Sequence, residues 1–406
     1  MTFFPMKPVP PIMPPSPYEQ IVGYDKIEAS YKEALRGYRK FRKEAVIYDM
    51  CRERNNVRLW RELKPDERTQ RVKYRPHPYH STIIYEPKER LLNIPKLRDK
   101  IVQLAIHQEL QALYRPVFVD RSFACQYGKG SIRAAFNVHH DMRLARWKWG
   151  EGAFVVKIDV RKFFYSIDRA ILKELLGKRM KKLRKKYPEL NEDFNRFLEL
   201  LDIVIDSSPE GERGIPLGNV SSQDFANVYL NEVDQYCIRY LGIKYYTRYM
   251  DDIVIIAPTR EKAKEWLSKI ITFLRERLHL ETNQKTKIYP LKQGVNAYGF
   301  KIKTTHLELR NESKRKAKRR VKKMDEKLKA GELTEKEVVQ TFQSWLGFAR
   351  WASAYNLCRK IFAPYPYIKV EGEMQFGSIS RSRQARRLLQ QRYNPTPAHQ
   401  PVEAGQ

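Results

Sequence analysis

Long apolar runs, clustered cysteines and acidic residues are all scarce in this sequence of 406 residues. No stretch of about 18 apolar residues occurs, so we expect no segment that crosses a membrane. The four cysteines, Cys51, Cys125, Cys237 and Cys358, are widely scattered and have neither zinc-site spacing nor a disulfide framework. Because no signal-peptide pattern accompanies them, we expect reduced cysteines in a cytoplasmic protein.

The charge balance is strongly basic, with 78 Lys and Arg residues against 47 Asp and Glu residues and a formal net charge of +31. Such an excess repels itself in a compact chain, which favours a polyanionic partner. Nucleic acid is the leading candidate for that partner, and an anionic membrane surface is the alternative. Hydrophobic residues make up 42% of the chain, a share that argues against a disordered protein.

Hydrophobic periodicity predicts a chain in which helices and strands alternate. Residues 1–17 are rich in proline and predict a flexible arm. Strands are predicted within 81–95 and 153–160, and a hairpin is predicted from Lys244 to Ile256. Helices are predicted in the ranges 97–114, 131–147, 168–206, 260–279, 312–329 and 334–352.

The strongest chemical signal is the acidic pair Asp251-Asp252, which lies between two β-rich arms. Adjacent carboxylates repel each other, and a divalent metal ion would offset that repulsion at an exposed hairpin turn. Asp159 ends the most hydrophobic predicted strand, so it can lie beside the acidic pair on a neighbouring strand. An isolated Asp-Asp pair is most often a solvated turn, but the β-rich arms and the matching strand acid favour a site for two Mg²⁺ ions.

Several motifs, in the same order along the chain, resemble the reverse transcriptase family. The turn Tyr249-Met250-Asp251-Asp252 resembles the signature turn of that family. Four further segments resemble its fingers motif, its first palm motif, the loop and helix start that follow, and its primer grip: Arg90 to Arg98, Phe154 to Phe164, Gly214 to Gln223 and Ala297 to Phe300. The resemblance implies an α+β right-hand polymerase fold, with fingers, a palm built on an antiparallel sheet, and a helical thumb.

The resemblance also implies an order of domains. After the arm, N-terminal helices and fingers are expected in 18–150, and the palm in 151–308 with a fingers-like helical insertion at about 168–213. A helical thumb is expected in 309–362, followed by a basic and mobile tail in 363–406.

By the resemblance, Asp159, Asp251 and Asp252 are the catalytic residues and the ligands of two Mg²⁺ ions, with Mn²⁺ as the alternative ion. Phe164 matches the steric-gate position, where a large ring excludes the 2′-hydroxyl and so selects dNTP over NTP. Core packing is the alternative for either Phe163 or Phe164. An extended segment would point these two rings in opposite directions.

Basic residues at two places match the cations that contact the phosphates of the incoming nucleotide. Lys88 and Arg90 match the fingers cations that bind the triphosphate, and their alternative is a solvated turn. Lys285 is the preferred cation beside the leaving pyrophosphate. Lys287 lies two residues further along the same predicted strand and shares its face, so the sequence cannot separate the two.

The loop that follows the first palm motif indicates a subfamily. Many reverse transcriptases carry Gln where this chain has Leu217, and Pro where it has Gln223. An aliphatic residue before Gly218, with Ser222-Gln223 at the helix start, resembles the reverse transcriptases of diversity-generating retroelements. Because Leu217 cannot hydrogen-bond the nascent base pair, we expect looser checking of the geometry of that pair. The resemblance implies that this looseness takes the form of errors opposite template adenines. The alternative is that Leu217 only packs beneath the loop.

Two consecutive segments match the parts of the family that hold the template–primer duplex. Tyr298, Gly299 and Phe300 match the primer grip. Residues 310–329 carry eleven basic residues against three acidic ones, and this run lies where the thumb contacts phosphates. A solvated helix face is the alternative. The residues assigned to nucleic-acid binding are Lys316, Arg319, Arg320 and Lys323.

The sequence suggests neither an RNase H domain nor an endonuclease, so we expect a bare polymerase. By the resemblance, its partners are a template RNA, the primer and cDNA strand, dNTPs and a small basic accessory protein that forms a ring, with no membrane. One alternative is a stand-alone or antiphage-defence bacterial reverse transcriptase. Another is a non-catalytic, basic nucleic-acid-binding protein with a polymerase fold, against which the three intact aspartates argue.

Overall fold

The computed structural model describes residues 16–37, 41–85, 89–209, 211 and 213–370. Most of the predicted arm, most of the predicted tail and Lys88 lie outside these ranges. Within them, no helix has both the length and the apolar character needed to cross a membrane. The predicted mixture of helices and antiparallel sheet is confirmed.

Helices make up most of the described residues. They are α1 Pro17–Ile21, α2 Tyr24–Ala34, α3 Lys43–Met50, α4 Arg52–Leu63, α5 Leu97–Tyr114, α6 Ser131–Trp149, α7 Phe163–Ser166, α8 Arg169–Lys186, α9 Asn191–Asp206, α10 Val220–Gln235, α11 Arg260–Leu278, α12 Asn311–Lys329, α13 Glu335–Ala349 and α14 Tyr355–Phe362. The strands are β1 His80–Ile84, β2 Arg90–Ile94, β3 Phe154–Asp159, β4 Tyr246–Tyr249, β5 Asp252–Ala257, β6 Lys287–Pro290, β7 Val295–Ala297, β8 Phe300–Ile302 and β9 Leu307–Leu309.

The strands form three antiparallel sheets. The largest has the order β4-β5-β3-β6, and the others are the hairpin β1-β2 and the meander β7-β8-β9. β3 is therefore a central strand, with β5 on one side and β6 on the other. Val155, Val156 and Ile158 of this strand are buried and lie on both of its faces, which matches the mainly hydrophobic sequence of the strand.

The chain divides into two compact units, each made of separate segments of sequence. Unit 1 contains residues 1–120, 160–236 and 270–282. Unit 2 contains residues 121–159, 237–269 and 283–406. The boundaries predicted for fingers, palm and thumb are linear stretches and stay a prediction.

The core of unit 2 joins the largest sheet to α6. Ala134, Val138 and Met142 recur at helical spacing on α6, and they are buried in one cluster with Val155 of β3 and Val254 of β5. The same cluster includes side chains of β7, β8, β9, α13 and α14. The end of the sheet that carries the acidic residues is thus built on a closely packed base.

The segment after Asp159 departs from the prediction. The local sequence pattern predicts an extended chain at Phe163 and Phe164, but these residues begin the short helix α7. Lys162, which precedes the helix, has a φ of 45°, in the left-handed region, so the chain turns there instead of continuing straight.

Candidate active site

The three predicted catalytic carboxylates lie at one end of the largest sheet. β3 and β5 are antiparallel neighbours, and their register places Asp159 opposite Asp252. Asp251 lies in the turn that joins β4 to β5. The structure therefore brings the strand acid next to the acidic pair, as the sequence predicts. Their catalytic role stays a prediction.

The turn between β4 and β5 is supported by a buried arginine. Met250 has a φ of 52°, which residues other than glycine seldom adopt. The guanidinium of Arg248 donates to the carbonyl oxygen of Met250 at 3.2 Å, and the Arg248 side chain is fully buried. This role of Arg248 was not predicted from the sequence, although a charged side chain in an otherwise apolar arm is a signal for it.

The backbone of Asp159 is held by the loop that precedes β6. Its N–H donates to the hydroxyl of Thr286 at 3.2 Å, and its carbonyl accepts from the N–H of Asn283 at 2.7 Å. One bond to a side chain and one to the backbone thus extend the contact between the two segments beyond the last regular pairs of β3 and β6. The end of β3 is therefore fixed on the side away from β5.

The carboxylates repel one another in a partly buried setting. The pKa of Asp251 is raised from 3.8 to about 6, mainly by burial and also by the charges of Asp252 and Asp159, whereas a backbone hydrogen bond and Lys157 oppose the rise. The Nζ atom of Lys157 lies 3.1 Å from Oδ1 of Asp252. Lys157 therefore offsets part of the negative charge at this end of the sheet.

The three carboxylates are chemically suited to bind a divalent cation, but their side chains do not converge on one point. Carboxylate oxygens are the hard donors that Mg²⁺ prefers. Oδ1 of Asp252 is buried and accepts no hydrogen bond from any described residue, since Lys157 approaches it without hydrogen-bond geometry. In the described ranges no three His, Cys, Asp or Glu side chains stand close enough to hold a metal ion. A three-carboxylate site thus requires at least one side chain to rotate.

Within unit 1, α7 is bonded to the loop that precedes α10. The carbonyl of Phe164 accepts from the N–H of Ile215 at 2.9 Å, and the carbonyl of Ile167 accepts from the N–H of Gly214 at 2.8 Å. The ring of Phe163 is only 3% exposed, whereas that of Phe164 is half-buried. Phe164 is therefore the more exposed of the two rings, and its role as the steric gate stays a prediction.

The β1-β2 hairpin contacts the same loop and helix. The hydroxyl of Tyr165 donates to the carbonyl of Leu91 at 3.0 Å. A Cβ atom added to Gly218 would lie 3.6 Å from the side chain of Leu92, so the loop and β2 are in contact. Arg90 is exposed at the start of β2. Within unit 1, β2, α7 and the loop before α10 thus lie together. In the described ranges, these segments carry the predicted nucleotide-binding residues of that unit.

The start of α10, with its predicted fidelity residues, is anchored to α5. Leu217 in the preceding turn and Gln223 in the first turn of α10 are both half-buried. The next residue, Asp224, accepts hydrogen bonds from His107 and Gln111 of α5, each at 2.6 Å. Burial raises the pKa of Asp224, and the bond with His107 opposes that rise. This anchor was not predicted from the sequence, because it joins residues far apart in the chain.

The two candidate pyrophosphate cations do not share a strand. Lys285 lies in the turn before β6, where its N–H donates to Oδ1 of Asn283 at 3.2 Å. Lys287 is the first residue of β6 and is opposite Lys157 of β3. The expectation of one shared strand face was therefore wrong, because β6 begins only at Lys287 and Lys285 lies in the turn before it. Both side chains are exposed, and the choice of Lys285 stays a prediction.

The predicted primer grip forms the turn between β7 and β8. Tyr298 and Phe300 are 5% and 0% exposed, so neither side chain offers a surface to a primer. Gly299 has a φ of +91°, and a Cβ atom there would lie 2.9 Å from Cζ of Phe348. Any contact of these three residues with a primer therefore falls to the main chain around Gly299.

The basic run after this hairpin forms α12. Only Ala317 and Val321 of this helix are buried. The four predicted nucleic-acid-binding residues are all exposed, and their spacing puts them on one stripe of the helix. Those residues are Lys316, Arg319, Arg320 and Lys323.

Comparison with known proteins places these features in context. A family profile described as reverse transcriptase (RNA-dependent DNA polymerase) matches residues 82–302. The group II intron-encoded protein LtrA of Lactococcus lactis subsp. cremoris is 26% identical over 152 residues, which are 37% of this chain and 23% of LtrA. Protein YkfC of Escherichia coli strain K12 is 26% identical over 268 residues, with 54% of this chain and 65% of YkfC covered. The chain thus spans less than two thirds of either relative.

Among solved structures, the chain is similar to apo telomerase from Candida tropicalis. The TM-score is 0.46 at 13% sequence identity, and the match covers 65% of this chain and 53% of that one.

Proposed function

The chain belongs to the reverse transcriptase family, and we propose that it is an RNA-directed DNA polymerase that copies a template RNA into cDNA. The observation that carries the proposal is the register of β3 and β5, which puts Asp159 opposite Asp252 with Asp251 in the adjoining turn. The substrates would be dNTPs, a primer or growing cDNA strand, and the template RNA. The net charge of +31 suits these polyanionic partners.

In the proposed reaction, the 3′-oxygen of the primer forms a bond to the α-phosphorus of a dNTP. The bond from that phosphorus to the pyrophosphate oxygen breaks, and the 3′-hydroxyl loses its proton. Two Mg²⁺ ions, with Mn²⁺ as the alternative, would lower the pKa of the 3′-hydroxyl and offset the charge on the pyrophosphate. Asp159, Asp251 and Asp252 would hold those ions.

The remaining site residues of this chain would orient the nucleotide. Lys88 and Arg90 would bind the triphosphate, and Lys285 would contact the departing pyrophosphate. Phe164 would exclude the 2′-hydroxyl with the part of its ring that is not buried. Gly218 would let the loop lie close to the nucleotide because it carries no side chain, and its φ of +101° is a conformation that other residues rarely adopt.

We further propose that the enzyme belongs to a diversity-generating retroelement and misincorporates opposite template adenines. Leu217, which offers no hydrogen bond, and Gln223 at the helix start support this proposal. In such an element, the template RNA and a small basic ring-forming accessory protein would supply the choice of template and primer. A cytoplasmic location is part of the same proposal.

Sequencing of cDNA made on a defined, adenine-rich RNA template tests the function and the subtype together. We expect cDNA with errors concentrated at template adenines, and fewer such errors in Leu217→Gln, because the amide offers a donor and an acceptor near the nascent pair. Leu217→Met, which stays apolar, is the matched control and should keep the wild-type error spectrum.

Three other results would each favour a different function or a different mechanism. Accurate copying of adenine by the wild-type protein would favour a stand-alone or defence reverse transcriptase. Absence of cDNA would favour a non-catalytic nucleic-acid-binding protein. Adenine errors that are unchanged in Leu217→Gln would leave the retroelement proposal in place and remove Leu217 from its mechanism.

A further inference from the structure

The hydroxyl of Tyr298 reaches the hairpin that carries the acidic pair. Tyr298 is in the turn between β7 and β8, and its side chain is 5% exposed. Its single O–H is shared between two carbonyl oxygens, that of Thr247 at 3.0 Å and that of Asp252 at 3.2 Å from the hydroxyl oxygen. All three residues belong to unit 2.

The two acceptors lie on opposite strands of the same hairpin. Thr247 is in β4 and Asp252 is the first residue of β5, so one hydroxyl contacts both strands at the base of the Met250-Asp251 turn. Since Asp252 is itself one of the three carboxylate residues, a shift of this hydroxyl would change the backbone from which that carboxylate projects.

The surroundings of Tyr298 fix where its ring can point. The ring lies 5.9 Å from that of Tyr249, centroid to centroid, in a tilted arrangement. On the other side of the turn, the ring of Phe300 is stacked on that of Phe348 of α13 at 4.5 Å, centroid to centroid. The ring of Phe348 also lies so close to Gly299 that no side chain fits at that position. The hydroxyl is therefore held by a turn that is closely packed on both flanks.

We infer that Tyr298 is a positioning residue for Asp252, which links the predicted primer-binding hairpin to the carboxylate turn. This inference rests on the proposed polymerase function. It differs from a role in gripping the primer, because the side chain points into the protein and donates to the backbone of the carboxylate hairpin. Movement of the β7-β8 turn would then reach the reacting centre through one hydroxyl.

Tyr298→Phe removes the hydroxyl and keeps the ring, so it tests the inference with little change in packing. Tyr245→Phe is the matched control. Tyr245 is 4% exposed in the same core, beside the start of β4, and its hydroxyl is hydrogen-bonded to no residue that the structure describes. For each variant, the measurements are the rate of single-nucleotide incorporation at saturating dNTP, the KM for dNTP, the Kd for template–primer without added metal, and the melting temperature.

We expect Tyr298→Phe to lower the rate of incorporation by roughly 10- to 100-fold, the range expected when a reacting group is slightly misplaced. The KM for dNTP and the Kd for template–primer should match those of Tyr245→Phe, because neither ligand is contacted by the buried hydroxyl. The melting temperature should stay above the assay temperature in both variants, which separates misplacement from unfolding.

Two results would overturn the inference while the proposed function stands. One is an incorporation rate equal to that of Tyr245→Phe in an active enzyme. The other is a weaker Kd for template–primer with an unchanged rate, which would make Tyr298 a primer-binding residue after all. A wild-type protein that incorporates no nucleotide would instead overturn the proposed function, and the inference with it.

Discussion

Replacing Gly299 by alanine should destabilise the protein more than the same replacement at Gly331. Both glycines lie in unit 2 and have a positive φ, +91° at Gly299 and +74° at Gly331, so alanine is strained at either position. Nothing lies within 4 Å of a Cβ atom added to Gly331. At Gly299 the added Cβ would lie 2.9 Å from Cζ of Phe348.

The cost of the backbone strain and the cost of the close contact with Phe348 can be estimated separately. The left-handed conformation costs alanine about 1–2 kcal/mol, and this is the whole effect expected for Gly331→Ala. At Gly299 the ring of Phe348 must also move, although it is stacked on the fully buried ring of Phe300. Overpacking of this kind costs about 1–3 kcal/mol more. Gly299→Ala should therefore lower the free energy of unfolding by roughly 2–5 kcal/mol in total.

Urea unfolding followed by tryptophan fluorescence measures both losses, provided that the dependence on urea concentration is the same in all variants. A double variant adds a direct test of the contact. Phe348→Leu opens space at the added Cβ, so Gly299→Ala combined with Phe348→Leu should lose less than the sum of the two single losses. Equal losses at Gly299 and Gly331, or losses that add in the double variant, would refute the close approach of this turn to α13.

Three further predictions concern other parts of the chain. Phe164→Ala should raise the incorporation of NTP relative to dNTP by roughly 10- to 100-fold, which is the range of discrimination that contacts in a binding pocket provide. An incorporation assay measures this ratio, with Phe163→Leu as the control. An unchanged ratio would exclude Phe164 as the steric gate. Neutralising the four predicted cations of α12 together should lower the slope of log affinity for template–primer against log salt by roughly 3 units, whereas an unchanged slope would place the duplex elsewhere. Burial raises the pKa of Asp193 from 3.8 to about 6, so the folded state binds this proton more tightly than the unfolded state does. The melting temperature of the wild type relative to Asp193→Asn should therefore fall as pH rises from about 4 to about 6. A difference in melting temperature that does not change over that pH range would contradict the assignment.

The elements that the sequence predicts best are those with a strong local pattern. The helix expected at 97–114 is α5, with both ends as predicted, because its apolar residues recur at helical spacing. The hairpin around Asp251 and Asp252 also follows from local pattern, since two β-rich arms flank a polar turn. The position of Asp159 at the end of β3 follows from the hydrophobic run before it.

The features that local pattern misses depend on partners distant in sequence. The hydroxyl of Tyr298 bonds to carbonyl groups 46 and 51 residues earlier in the chain, and no periodicity in either segment records that contact. The anchor between His107 and Asp224 joins residues 117 apart. A hydrophobic pattern does not encode the backbone conformation of individual residues. It therefore missed the turn that contains Lys285 and the start of a helix at Phe163.

Primer extension on a defined RNA template is the most direct test of the central claim, which is that Asp159, Asp251 and Asp252 form the active site of an RNA-directed DNA polymerase. The wild-type protein should extend the primer with dNTPs in the presence of Mg²⁺. Asp251→Asn and Asp252→Asn should each lose extension but keep their affinity for template–primer, because that affinity comes from dispersed Lys and Arg residues. Extension at the wild-type rate by either variant would contradict the account.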